Sequence, residues 1–252
     1  MISKNKISEL KKLSQKKFRA ESGLFIVEGT KSVEDLLASS LPVEELFATT
    51  SWLQAHHGQL AGITAVEVTD TELERITALT TPQQVLAVVR TPHFTPADLD
   101  FADALLVLDG IRDPGNLGTI LRTADWFGFR QVLCSPDCVE WTNPKTVQAT
   151  MGSFARVKVV YANLPECLSQ PQVQSRIFGT FMQGEPIQNI DFQKNDILVI
   201  GNEGKGISPE VAQCVQQRVS VPLASANPSH AESLNASIAA AIVMYEVLRQ
   251  RL

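Results

Sequence analysis

Three stretches in the second half of the chain gather residue types that can do chemistry. The first is LDGIRDPGNLGTILRTADWFGF (108–129). A strand-like run ends in Asp109-Gly110, and a loop holding Pro114 and Gly115 leads to Asn116, which is predicted to cap a helix. That helix sets Arg122 and Asp125 one turn apart. A helix start after a glycine loop can hold a phosphate on free backbone N–H groups, and Arg122 would add a planar charged fork for the same anion. The same residues also describe a capped surface helix with Arg122 paired to Asp125 or Asp113.

The second stretch is DILVIGNEGKGISPE (196–210). Gly201, Gly204 and Gly206 would let backbone approach a ligand closely. It is not a P-loop: Val199 stands where the first glycine belongs, and Gly206 where Ser or Thr belongs. Nor is the spacing that of GxGxxG. Glu203 inside the turn could orient a substrate or cofactor group, and a plain tight turn before a helix at 208–216 is the other reading. The third stretch is VSVPLASANPSHAESLNASIAAAIVMYEVLRQ (219–250). A short strand meets Pro222, and a polar loop runs into a long helix with Leu234, Ile238, Ala241, Ile242 and Tyr245 on one face. Ser233 or Asn235 is read as its cap. The run Ala239–Ala241 permits close packing by another helix, including one from a second subunit.

Positioning these stretches calls for a parallel sheet. Short apolar runs at 104–110, 131–135, 156–162, 176–182, 196–204 and 219–224 alternate with helical patterns at 117–127, 143–152, 164–170, 208–216 and 231–250. Strands alternating with helices predict an α/β domain with a mainly parallel sheet covered on both faces. Ligands of such sheets bind at the carboxyl ends of strands, where the first two stretches fall. A smaller α/β unit precedes it, with strands at 23–29, 45–49, 65–69 and 85–90 and helices at 30–40, 51–60 and 70–79. Residues 91–103, with two prolines and no clear period, read as a connecting segment. The expected domains are 1–95, a linker at 96–103, and 104–252.

The chain has 252 residues, 44% hydrophobic and 19% charged, an ordinary globular composition. No apolar run approaches the length of a membrane helix, and the Lys-rich N-terminus lacks a following apolar stretch, so a cytoplasmic protein is expected. The net charge of −5 hides an asymmetry. Residues 1–20 carry seven cations against Glu9 alone, a net of +6, which leaves −11 on the remainder. A basic arm on an acidic body suggests local phosphate contacts, with a solvated terminus as the alternative. Cys134, Cys138, Cys167 and Cys214 form no CxxC pair and are expected to be reduced and buried; no metal site is expected.

Together the three stretches resemble the signature motifs of the SpoU (TrmH-type) family of RNA ribose methyltransferases. They stand here as PGNLGTILRTADWFGF (114–129), LVIGNEGKGI (198–207) and VPLA…ESLNASIAAAIVMYE (221–246). The likeness covers 104–252 and, more loosely, 1–90, where 16–37 looks like the family's substrate-binding domain, a ribosomal-protein-like α/β sandwich. The resemblance implies a deep trefoil knot in the C-terminal domain, S-adenosylmethionine as cofactor, and 2′-O-methylation of RNA, with ribosomal RNA favoured over transfer RNA. It implies a homodimer through the knot region, catalytic positions at Asn116, Arg122, Glu203, Ser233 and Asn235, and cofactor positions at Thr180, Gly201, Val221, Leu223 and Leu234. Arginine rarely loses its proton, so Arg122 is expected to clamp a phosphate rather than act as a base. The loop 225–233 departs from the family's shorter link, and His230 within it is read as a loop residue without a role. Rival readings are a base methyltransferase and a non-catalytic RNA-binding protein on the same scaffold.

Overall fold

The structure, a computed structural model, describes residues 2–223 and 233–250. It forms two compact units, Met1–His93 with Glu140–Arg156, and Phe94–Val139 with Val157–Leu252.

The first unit opens with α1 (Lys4–Lys12) and α2 (Lys16–Ser22). There follow β1 (Leu24–Glu28), α3 (Thr30–Leu37), β2 (Val43–Ala48), α4 (Thr50–His56), β3 (Ala65–Glu67), α5 (Asp70–Ile76) and β4 (Val85–Arg90). The sheet runs β1-β4-β2-β3, with β4 antiparallel to both neighbours and β3 parallel to β2. Side chains alternate across a strand, and both faces are used. Ile26, Phe47, Leu86 and Val88 pack with Leu10, Leu13, Leu73 and Ile76 from α1, α5 and the turn after α1. Phe25 points the other way, 5.0 Å from the Trp141 ring and 6.2 Å from that of Phe154. The basic arm is therefore helical and docked. Arg19 is buried, donating to the carbonyls of Leu13 (3.0 Å) and Ser14 (2.9 Å) and to Glu140 (2.7 Å). Lys6 pairs with Glu9 and Glu45, whereas Lys4, Lys11 and Lys12 stay exposed.

The second unit holds β5 (Leu105–Asp109), α6 (Pro114–Trp126) and β6 (Gln131–Cys134). The next helix, α7 (Pro144–Thr150), packs in the first unit. Then come β7 (Lys158–Tyr161), α8 (Leu164–Leu168), β8 (Ile177–Pro186), β9 (Ile197–Gly201), α9 (Pro209–Ala212), β10 (Gln217–Ser220) and α10 (Ala236–Arg249). All pairings in this sheet are parallel, in the order β10-β8-β9-β5-β6-β7. The two central strands read LLVLD and ILVIG, and both are buried almost throughout, as a sheet covered on both faces requires. Val107, Leu133, Val160, Leu164, Leu168, Ile197 and Val199 belong to one core under this sheet.

Chain order reverses between β5 and β9: after β5 the chain builds one side of the sheet, and β9 is reached from the other. Such a switch point opens a crevice beyond the strand ends. There Asp109 and Gly201 lie side by side. The last strand is shorter and earlier than the 219–224 expected, and its pairing with β8 shifts register between Arg218 and Val219.

Candidate active site at the ends of two central strands

Beyond β5 the chain turns into α6. The cap of this helix is Asp113, not Asn116: the Asp113 carboxylate accepts the Asn116 N–H at 2.8 Å, and Pro114 takes the first helical position. Proline fits there because its missing N–H has no helical partner anyway. Asn116 therefore sits in the first turn with its amide free for other bonds. The turn itself is anchored from below. The Gly110 N–H donates to Ser135 Oγ at 2.9 Å, Ser135 donates to Asp137 at 2.6 Å, and Arg112 pairs with Asp137 at 3.0 Å. These bonds from Ser135 and Arg112 hold the Asp137 carboxyl below the usual carboxylate range. Cys138 accepts the Ile111 N–H at 3.2 Å; hydrogen bonds from Cys134 first, then Ser135 and Ile111, bring its thiol down to about 7 against its burial. The four cysteines are free, with Cys134, Cys138 and Cys167 buried and Cys214 half-buried.

Beyond β9 the chain makes a tight turn, in which the Asn202 and Gly206 backbones bond to each other at 3.0 and 2.8 Å. Gly206 has φ +70°, and a Cβ on Gly201 would run into the main chain of Gly206 and Ile207. Glycine at 201 is thus required by the turn's own closure. The Asn202 amide oxygen accepts the N–H groups of Gly204 and Lys205, both at 3.0 Å. Asp109, buried at the end of β5, accepts the Ser208 N–H at 2.7 Å and closes the far side of the turn.

These turns converge on a chain of polar side chains. The Asn116 amide donates to Glu203 Oε1. Asn235, which caps α10, donates to Asn116 Oδ1 at 3.0 Å. Its own oxygen accepts the Ser237 N–H (2.9 Å) and Ser237 Oγ (2.6 Å). At the other end Asn202 Nδ2 lies 3.3 Å from Glu203 Oε2 and donates to the Gly110 carbonyl at 2.9 Å. Backbone N–H groups fix the amide orientation at both ends, at Asn202 and at Asn235, so every donor in the chain is assigned. Glu203 is the shared acceptor. Among the described residues the second amide hydrogens of Asn116 and Asn235 have no partner, leaving two donors for a ligand oxygen.

Three of the five expected catalytic residues, Asn116, Glu203 and Asn235, are thus joined. Arg122 is not joined to them. It is exposed on α6, about 9 Å further along the helix axis than Asn116, and among the described residues it makes no ion pair, so the expected pairing with Asp125 or Asp113 is absent. Thr119, Arg122 and Trp126 form one exposed stripe, and Trp126 is 83% exposed. Ser233 is exposed and does not cap α10; Asn235 does. Among the expected cofactor positions, Thr180 donates to the Val199 carbonyl at 3.1 Å, on the strand next to Gly201. Val221, Leu223 and Leu234 flank residues 224–232, which with His230 lie outside the described residues. Asn202 and Ser237 are site residues that the motif reading passed over. Asn202 could have been found from Asn-x-Gly directly after a strand, an Asx-turn pattern.

A doubly covered parallel sheet with a polar chain at its switch point, in a chain that also holds a smaller mixed α/β unit, defines a two-unit α/β protein with a candidate active site in the larger unit. The sequence pattern of the SpoU rRNA Methylase family matches residues 103–245, and that of the MRM3-like substrate binding domain matches residues 4–87. The chain belongs to the SpoU methylase family. It is 32% identical over 244 residues to the 23S rRNA (guanosine(2553)-2′-O)-methyltransferase RlmP of Bacillus subtilis, covering 96% of this chain and 95% of that one. Among solved structures, a TrmH-family protein from Porphyromonas gingivalis superposes with a TM-score of 0.89 at 36% identity, covering 99% of both chains. The AdoMet-bound rRNA methyltransferase from Sinorhizobium meliloti gives 0.89 at 28% identity, covering 100% of this chain and 97% of that one.

Proposed function

We propose that this protein transfers a methyl group from S-adenosylmethionine to a ribose 2′-hydroxyl of RNA, with ribosomal RNA as the substrate class. The observation that carries the reading is the Asn116–Glu203–Asn235 chain at the switch point, with amide hydrogens left over for a ligand. The names of the Bacillus subtilis and Sinorhizobium meliloti relatives support the reaction and the cofactor.

When bound, S-adenosylmethionine supplies the methyl group. The main chain around Gly201, Val221, Leu223 and Leu234, with Thr180 beside it, is the set that would hold it. Asn116 and Asn235 present amide donors to the sugar oxygens; Glu203 keeps the Asn116 amide turned the right way, and the Ser237 N–H does the same for Asn235. Arg122, exposed and unpaired among the described residues, clamps the phosphate next to the target ribose and stabilises charge developing on the attacking oxygen. Positioning of this kind supplies a large share of the rate in a displacement that must be in line. Ser233 borders the same loop and is placed with the substrate side.

Residues 1–95 serve as the RNA-capturing domain, through the exposed Lys4, Lys11 and Lys12 and by shape more than base edges. We place the protein in the cytoplasm, assign it the family's trefoil knot, and propose a homodimer. Among the described residues no helix is long and apolar enough to cross a membrane. Support for the dimer comes from α10, which buries Ala236, Ala240, Val243, Met244 and Val247 yet leaves Ile238 (51%) and Tyr245 (53%) exposed. An exposed, largely apolar stripe on this helix suits a second subunit.

The test incubates purified protein with S-adenosylmethionine and rRNA, then digests the product with alkali. An alkali-resistant dinucleotide is expected. A methylated base in an alkali-sensitive RNA would mean a base methyltransferase, and methylation of tRNA alone would move the substrate class. No binding of S-adenosylmethionine by calorimetry would leave only an RNA-binding scaffold.

A further inference from the structure

The polar chain has a direction, and something must set it. Glu203 sits in a turn whose shape depends on the residue before it. Asn202 makes four side-chain contacts: its oxygen accepts from Gly204 and Lys205, and its nitrogen donates to the Gly110 carbonyl and lies beside Glu203 Oε2. Both valences of the amide are used. One half organises its own turn; the other half ties that turn to the exit of β5, the strand that leads to Asn116. No other side chain among the described residues bonds both to Glu203 and to the β5 exit.

We infer that Asn202 is a positioning residue: its amide locks the turn carrying Glu203 to the end of β5 and so aims the carboxylate at Asn116. The inference rests on the methyltransferase reading for its kinetic consequence and on the geometry alone for its structural one. Separating the two halves of the amide provides the test. Asn202→Asp keeps an acceptor for the Gly204 and Lys205 amides but loses the donor to Gly110 and places a second carboxylate beside Glu203. Asn202→Ala loses both halves.

For Asn202→Asp the calorimetric S-adenosylmethionine affinity is expected to stay close to wild type and the thermal midpoint to fall by only a few degrees, while kcat falls about ten- to a hundredfold, the size of one lost hydrogen bond to the charged Glu203. KM for RNA should change little. Among the described residues the charged groups facing this position are Glu203 and Lys205 on its own turn, Asp109 at the end of β5, and Asp137 after β6 with its partner Arg112. With Glu203 nearest, the new carboxylate takes up a proton at raised pH and then donates again, so the deficit relative to wild type should shrink as pH falls. Asn202→Ala should show the loss without the pH-dependent recovery. Wild-type kcat in Asn202→Asp, or a loss of turnover fully matched by loss of melting temperature and cofactor affinity, would overturn the inference. Should the wild type itself lack methyl transfer, the functional reading fails, and a crystal structure of Asn202→Asp still decides this one. Glu203 turned away from Asn116 supports it, and Glu203 unmoved overturns it.

Discussion

Glu203 is required as a double acceptor, and that requirement can be tested with an atom-for-atom replacement. Asn116 and Asn202 both point amide hydrogens at it, one at each oxygen. Glu203→Gln keeps the volume but turns one acceptor into a donor, so one of the two asparagines must face N–H against N–H. The change removes one charge-assisted hydrogen bond and weakens the other. At about 1.5–3 kcal/mol for a hydrogen bond to a charged group, turnover should drop about ten- to a hundredfold. The assay is transfer of labelled methyl from S-adenosylmethionine to rRNA under saturating conditions, with calorimetry of the cofactor alongside. The decisive step is the double variant. Adding Asn116→Asp to Glu203→Gln restores every pairing: the new carboxylate at 116 accepts from Asn235 and from the new amide at 203, whose oxygen still accepts from Asn202. Melting temperature and cofactor binding should therefore recover beyond both single variants, a positive coupling in a double-mutant cycle. Turnover should recover only in part, because the second Asn116 hydrogen is gone. Full activity in Glu203→Gln, or a double variant no better than the sum of the singles, would refute the directed-chain argument.

Arg122→Lys should lower kcat at least about tenfold with RNA affinity little changed, since a point charge cannot replace a bidentate fork; filter binding and turnover check it. Gly201→Ala puts a methyl group into the Gly206–Ile207 backbone and should cost about 1–3 kcal/mol of stability together with cofactor affinity, read by denaturant melts and calorimetry. In the first unit, His56 is held protonated above its ordinary pKa by its bond to Glu34 and the Trp52 carbonyl. A raised folded-state pKa gives stability that is full below the unfolded value near 6.5 and lost as pH rises through the folded one. The melting-temperature gap between wild type and His56→Gln should therefore be widest near pH 6 and narrow towards alkaline pH. An unchanging gap would contradict the His56–Glu34 pairing.

Much of this architecture was legible in the residues. The apolar β-branched runs at the centre of the second half predicted a sheet covered on both faces, and LLVLD and ILVIG became its two middle strands. Other features were readable but misread. The pattern around Asn116 suggests a cap, yet Asp113-Pro114 makes the better one, with proline preorganised for the first helical position; the consequence is that the Asn116 amide is free to enter the site. Periodicity could not assign α7. Its apolar spacing shows that it has a face to bury but not against which sheet, and it packs in the first unit. The partner of a side chain 87 or 119 residues away, as in Asn116 with Glu203 and Asn235, is set by sheet order, which no local pattern carries.

Sheet order also explains why three unremarkable turns make one site. In a parallel sheet every strand exits on the same side, but only at the switch point do adjacent exits belong to chain segments that diverge rather than cover each other. Here those exits are Asp109 and Gly201, neighbours in register. The β5 exit contributes a capped helix start, the β9 exit a glycine-closed turn, and α10 packs against both α6 and β9, bringing its own capping asparagine to the same point. Each turn alone satisfies its backbone groups with a single Asp or Asn: Asp113, Asn202 and Asn235. What remains over from those local duties, one amide nitrogen on Asn202 and one on Asn235, is what meets Glu203 and Asn116. The polar chain is the surplus hydrogen-bonding capacity of its turns, pooled by topology, which is why its members are all short-chain or turn-bound while Arg122, a long cation on α6, stands apart.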